Sequence, residues 1–118
     1  MYFFDTYALF EILKANPAYQ RFADEPIITT SLNLAELYYG LLKQDKSKAD
    51  ALFSSINPDL LEITPDIAKT AMKFRYTHKK AKLSMVDCIG YALARHHNIP
   101  FLTGDQGFSK IEHVEYVK

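Results

Sequence analysis

Apolar or β-favouring runs recur at 2–4, 27–30, 60–63, 99–103 and 114–117. Each is short enough for a strand, and most lack the polar alternation of a half-exposed one, the pattern of strands buried on both faces. Between them, apolar positions fall at helical spacing over about 6–15, 32–42, 46–56, 66–81 and 85–97. Strands alternating with helices predict an α/β fold, with a mostly parallel sheet covered on both faces. Asn57-Pro58 stops the third helix, and Asn98 ahead of Ile99-Pro100 suits a left-handed residue closing the fifth. No linker, repeat or low-complexity tract divides the chain, so residues 1–118 read as one domain.

Composition agrees with that division. Of 118 residues, 48% are hydrophobic and 14% aromatic, enough for one real core and too few for two. No run approaches the ~18 apolar residues of a membrane span, and Met1 leads into a strand-like segment rather than a signal, so a cytoplasmic protein is expected. Cys88 is the single cysteine, which excludes an intrachain disulfide and a cysteine-based zinc site, and its apolar neighbours give it a core position. Formal net charge is zero, from 14 Lys+Arg and 14 Asp+Glu, so bulk charge points to no nucleic-acid partner.

The placement of the acids is more informative than their number. Asp5 follows the first strand at the start of a helix, where N-capping alone accounts for it. Asp87, three residues after Ser84, nearly completes a capping box. Asp105 lies in Thr103-Gly104-Asp105-Gln106-Gly107-Phe108, where the two glycines allow a sharp turn and close approach of a ligand. Glu36 differs. At ~100° per residue its helix is almost covered by Leu32, Leu34, Ala35, Leu37, Tyr38, Tyr39, Leu41 and Leu42, leaving Asn33, Glu36 and Gly40 on one narrow arc.

Taken together, Asp5 and Asp105 directly follow strands, and Glu36 and Asp87 lie in the first two turns of helices. Open α/β sheets bind ligands beyond the carboxyl ends of their strands. Carboxylates gathered there repel by about 3 kcal/mol per pair at ~5 Å and a dielectric of 20, so some must hold protons or share a cation. An oxygen-only donor set favours Mg²⁺ or Mn²⁺ over Zn²⁺.

The segments Ser31-Leu-Asn-Leu-Ala-Glu36-Leu-Tyr-Tyr-Gly40, Leu83-Ser-Met-Val-Asp87-Cys-Ile-Gly-Tyr-Ala92 and Leu102-Thr-Gly-Asp105-Gln-Gly-Phe108, behind a strand ending in Asp5-Thr6, resemble the PIN-domain ribonucleases. In size the chain is most similar to the toxins of VapBC-type toxin-antitoxin pairs. The resemblance implies a three-layer α/β/α sandwich in which Asp5, Glu36, Asp87 and Asp105 bind one or two Mg²⁺ or Mn²⁺ ions and hydrolyse RNA, with Thr6 or Thr103 supporting. It also implies homodimers and an antitoxin whose tail can reach the acidic site. Gly90-Tyr91 departs from the small alanines often found there, and the chain is somewhat short for the family.

Metal held by carboxylates supplies both an activated water and counter-charge for phosphodiester hydrolysis. A place for RNA comes from charge distribution. No acid occurs from Ile67 to Val86, where six of the 14 basic residues fall, and on a continuous helix Lys69, Lys73, Tyr76 and Lys80 would form one stripe. A solvated helix face explains the same pattern. The four histidines carry no assigned chemistry, and Phe10, Tyr38, Tyr39 and Leu42 read as core before contact surface. Two other readings use the same acids: a PIN-like module that binds RNA or protein without cutting, and a phospho-acceptor domain, for which no lysine follows the late strand in the expected place.

Overall fold

A computed structural model describes all 118 residues. Its strands are β1 (Tyr2–Phe4), β2 (Ile27–Thr29), β3 (Asp59–Leu60), β4 (Phe101–Thr103) and β5 (Val114–Tyr116), joined by α1 (Thr6–Leu13), α2 (Ser31–Gln44), α3 (Lys46–Ser54), α4 (Pro65–Thr77) and α5 (Met85–His96). All strands run parallel, in the order β3-β2-β1-β4-β5. The expected three-layer architecture is therefore present.

Side-chain alternation along the strands divides the core in two. Phe3 and Phe101, paired in register, face a cluster built with α4 and α5 that includes Ile67, Ala71, Ile89 and Leu93. Phe4 and Leu102, the next register pair, face the opposite cluster with Ala8, Leu9, Leu37, Leu41 and Ala49 from α1, α2 and α3. The central strands lose both faces to packing, which is why they read as unbroken apolar runs.

After β1 the chain moves outward through β2 to the β3 edge, then returns by way of α4 and α5 to add β4 on the other side of β1. The strand order thus switches direction between β1 and β4, and a crevice opens at their carboxyl ends. Thr29 Oγ1 donates to the Phe4 carbonyl at 2.8 Å and ties β2 to that end of β1.

Several boundaries differ from the sequence reading. The strand expected over 60–63 pairs only at Asp59–Leu60, a short exposed edge. The third helix ends at Ser54, ahead of Asn57-Pro58. The helix expected over 66–81 ends at Thr77. There the His78 N–H bonds the Phe74 carbonyl, a separate 3-10 turn takes Lys79–Ala81, and Lys82 adopts left-handed φ 56°. Lys80 therefore lies off the helix that was to carry it. Asn98, at φ 55°, takes the left-handed conformation expected of it.

Gly90 has a packing reason. A Cβ there would lie 2.8 Å from Phe3 and 3.1 Å from Phe101, whose rings stack at 5.6 Å between centroids. Two phenylalanines occupy the space a small side chain would need. The Tyr91 hydroxyl next to it anchors to the Glu112 carbonyl at 2.7 Å. Gly90→Ala should gain about 1 kcal/mol of helix propensity and lose about 1–3 kcal/mol to overpacking. A net loss near 1 kcal/mol, a fall of several degrees in thermal midpoint, is expected by calorimetry; an unchanged or raised midpoint would mean that the rings yield freely.

Candidate active site

Asp5 holds the N-cap position of α1, yet its side chain makes no capping hydrogen bond. It is buried at the switch point, where Thr103 Oγ1 from the end of β4 donates to Oδ2 at 2.7 Å. Capping, the ordinary explanation of this residue, does not apply. Its other oxygen, Oδ1, is buried with no hydrogen-bond partner. Such an atom costs about 1–3 kcal/mol and calls for an explanation.

The remaining acids are held by different means. Asp87 completes the capping box of α5: Oδ2 accepts from Ser84 N–H at 2.9 Å, and the Asp87 N–H donates to Ser84 Oγ at 3.1 Å. Asp105 accepts from Gly107 N–H at 2.9 Å through Oδ1, and its own N–H donates to Thr103 Oγ1 at 3.1 Å. Thr103 thus joins Asp5 to Asp105. No glycine in the chain has positive φ, so the glycines of this turn answer to space and not to backbone angle. A Cβ on Gly104 would collide with Tyr7 and the Val117 carbonyl, and one on Gly107 would lie 2.6 Å from Leu83.

Glu36 is reached from α1. Thr6 Oγ1 donates to Glu36 Oε1 at 2.7 Å and accepts from Asn33 Nδ2 at 3.0 Å, while Asn33 Oδ1 accepts from Thr30 Oγ1 at 2.6 Å. Asn33 is fully buried. This relay fixes the rotamer of a half-buried glutamate, and sequence reasoning assigned Asn33 no part in it. The available signal was a polar residue confined to the same narrow arc as Glu36.

In each of the four carboxylates one oxygen takes a positioning hydrogen bond and none reaches the other. No three Asp, Glu, His or Cys side chains converge tightly enough to form a ready-made metal cage. The acids nevertheless feel one another. Burial first, and then the charges of Asp87 and Asp105, push the Asp5 carboxyl up to about 8. Burial also raises Asp87, with smaller contributions from Asp105 and Glu36. The fit to a hard divalent cation lies in the donor set: oxygen ligands only, one of them buried and unpartnered, in a field that favours positive charge.

The basic residues divide into two groups. Lys69, Lys73 and Tyr76 share an open groove of about 470 Å³ with Met72 and Thr77, on the exposed side of α4. Lys80 is not among its lining, a consequence of the early helix end. Cys88 is buried, as expected, and its thiol is pushed up to about 11 chiefly by that burial. Phe10, Tyr38 and Leu42 pack against the core, whereas Tyr39 is exposed.

A family model described as PIN domain matches residues 2–114. Mycobacterium tuberculosis VapC20, described as a Sarcin-Ricin loop cleaving toxin, is structurally similar with TM-score 0.79, 23% identity and 100% of both chains covered. A toxin-antitoxin complex from Klebsiella pneumoniae gives TM-score 0.71 at 23% identity, covering 97% of this chain and 95% of that one. No curated protein matches this chain.

With its carboxyl raised from 3.8 to about 8, Asp5 binds a proton on folding between those values. Its contribution to stability is full below pH 4 and is lost as pH rises through 8. Thermal melts without divalent metal should therefore show wild type losing more stability than Asp5→Asn between about pH 5 and 8.5, the window of the shift. Added Mn²⁺ at the upper end should restore wild type and leave Asp5→Asn nearly unmoved. Parallel pH profiles for the two proteins would refute this.

Proposed function

The chain belongs to the PIN-domain family, and from that membership and the four acids whose charges bear on one another at one end of the sheet we propose that it is a metal-dependent endoribonuclease, the toxin of a toxin-antitoxin pair. The observation that carries this reading is the unpartnered buried oxygen of Asp5, placed among carboxylates at the sheet's switch point. An oxygen-only set suits Mg²⁺ or Mn²⁺, which when bound supplies Lewis-acid stabilisation of the phosphoryl oxygens and lowers the pKa of water.

Asp5, Asp87 and Asp105 are the residues that would hold the ion. Thr103 keeps Asp5 and Asp105 in mutual register, and Ser84 does the same for Asp87. Glu36, steered by Thr6 and Asn33, orients the attacking water and takes its proton. In-line attack on phosphorus with departure of the 3′ oxygen leaves 5′-phosphate and 3′-hydroxyl ends. Lys69, Lys73 and Tyr76 offer the strand a cationic and stacking surface beyond the acids, with Lys80 on the following turn. The family membership also makes a second copy of this chain and an antitoxin its proposed protein partners.

Asp5→Asn and Asp87→Asn should each reduce Mn²⁺-dependent cleavage of a defined RNA by about a hundredfold or more, the scale of losing a principal electrostatic stabiliser. Cleavage undiminished in both would sink the assignment. Absence of cleavage in wild type, with binding retained, would favour a PIN-like module that binds without cutting. Thr6→Val, nearly isosteric, should cost about tenfold to a hundredfold by releasing Glu36, as supporting residues around a metal site do. Its melting temperature is the check that the loss lies in positioning and not in folding.

A further inference from the structure

Between the end of α4 and the start of α5 lies an open cleft of about 430 Å³ lined by Arg75, His78, Lys79, Lys82, Leu83 and Ser84. No carboxylate lines it, and none of its cations takes part in an ion pair. Arg75 and Lys82, with Lys79 at the rim, border one space that has no carboxylate in its lining, so the cleft favours an anion. Its walls are fixed. Arg75 Nε donates to the Leu83 carbonyl at 3.1 Å, which holds the guanidinium while leaving its two terminal amino groups unengaged. His78 Nδ1 lies 3.0 Å from the Phe74 carbonyl, an acceptor only, so that nitrogen carries the proton and Nε2 is left open. Lys82 is set by its left-handed backbone, and the turn before it packs where Gly107 leaves room beside Leu83 and the Ala81 carbonyl.

The cleft is joined to the acids through Ser84, whose N–H and Oγ hold Asp87. On its far side, the Lys79 ammonium stands over the Tyr76 ring at 4.6 Å, and Tyr76 lines the groove of Lys69 and Lys73. Acids, cleft and aromatic groove thus follow one another across the surface. We propose that the cleft is a phosphate subsite, receiving the RNA backbone phosphate next to the bond that is cut. A planar guanidinium with two free donors matches a phosphate bidentately. Adjacency to the place of the scissile phosphate favours a nucleic-acid strand over an acidic peptide. The inference takes its ligand from the ribonuclease reading and places the strand on the Arg75 flank of α4, between the acids and the stripe of Lys69 and Lys73.

The test is fluorescence anisotropy of a short labelled single-stranded RNA at increasing KCl, with divalent metal omitted so that nothing is cut. Lys79→Gln/Lys82→Gln, which leaves the Arg75 anchor intact, should weaken binding about tenfold. The slope of log affinity against log salt should become shallower by about 0.7 for each phosphate that the variant no longer neutralises. Arg75→Gln should do the same if its melting temperature holds. Lys46→Gln/Lys48→Gln, an equal charge change on α3 in the other layer, should bind as wild type does. Unchanged affinity and slope in the cleft variants overturn the proposal, as does an equal loss in the α3 variant. Cleft-dependent binding of a polyglutamate peptide without binding of RNA overturns it in favour of an acidic protein ligand. Cleft-dependent RNA binding by a wild type that never cuts upholds the subsite and removes the nuclease; a wild type that cuts, with cleft variants that bind and cut equally, does the reverse.

Discussion

An ionisable group buried at the centre of a sheet must be neutralised, paired or protonated, and in this protein the group is Asp5. Its strand is the middle one, both faces are taken up by core, and Thr103 supplies its one side-chain hydrogen bond. The surrounding architecture follows from that constraint. Asp87 and Asp105 arrive from elements that could have satisfied Asp5 and instead add charge to it. Capping box, Asx turn and threonine hydrogen bonds each restrain an acid by one oxygen, so that Asp87 and Asp105 bear on an Asp5 carboxyl pushed up to about 8. Strain of this electrostatic kind persists only where the scaffold over-determines it, which the two aromatic core clusters on either side of β1 accomplish.

Much of this was legible in the chain. Unbroken apolar runs alternating with helical periodicity marked out the layers, because burial on both faces erases polar alternation. All four acids stood out by position. What stayed hidden depended on contacts between distant residues. Whether Asp5 caps its helix or turns into the crevice is one rotamer, decided by a threonine 98 positions away. The end of α4 was invisible because Lys79, Lys80 and Ala81 continue a helical pattern; the break comes at His78, whose backbone leaves the helical region, and Lys82 then closes the short 3-10 turn that follows. Gly90 and Tyr91, a departure from the family's usual residues, became intelligible once Phe3 and Phe101 were seen to fill the volume.

Zero net charge also proved a poor guide. Four of the 14 acids gather at the crevice and six of the 14 basic residues fall between Ile67 and Val86, so charge is uneven at close range although it sums to zero.

The hydrogen bond between Thr103 and Asp5 has a bearing on how the protein comes into being. Its donor lies near the end of the chain and its acceptor near the beginning, and Asp105 comes later still. Synthesis is vectorial, so a growing chain carries Asp5, Glu36 and Asp87 long before anything can draw them into one crevice. β4, which inserts beside β1 and leads into Asp105, follows all three of them in the sequence. The four side chains can meet only after that strand has emerged and paired, so the crevice is the last part of this sheet's centre to be assembled.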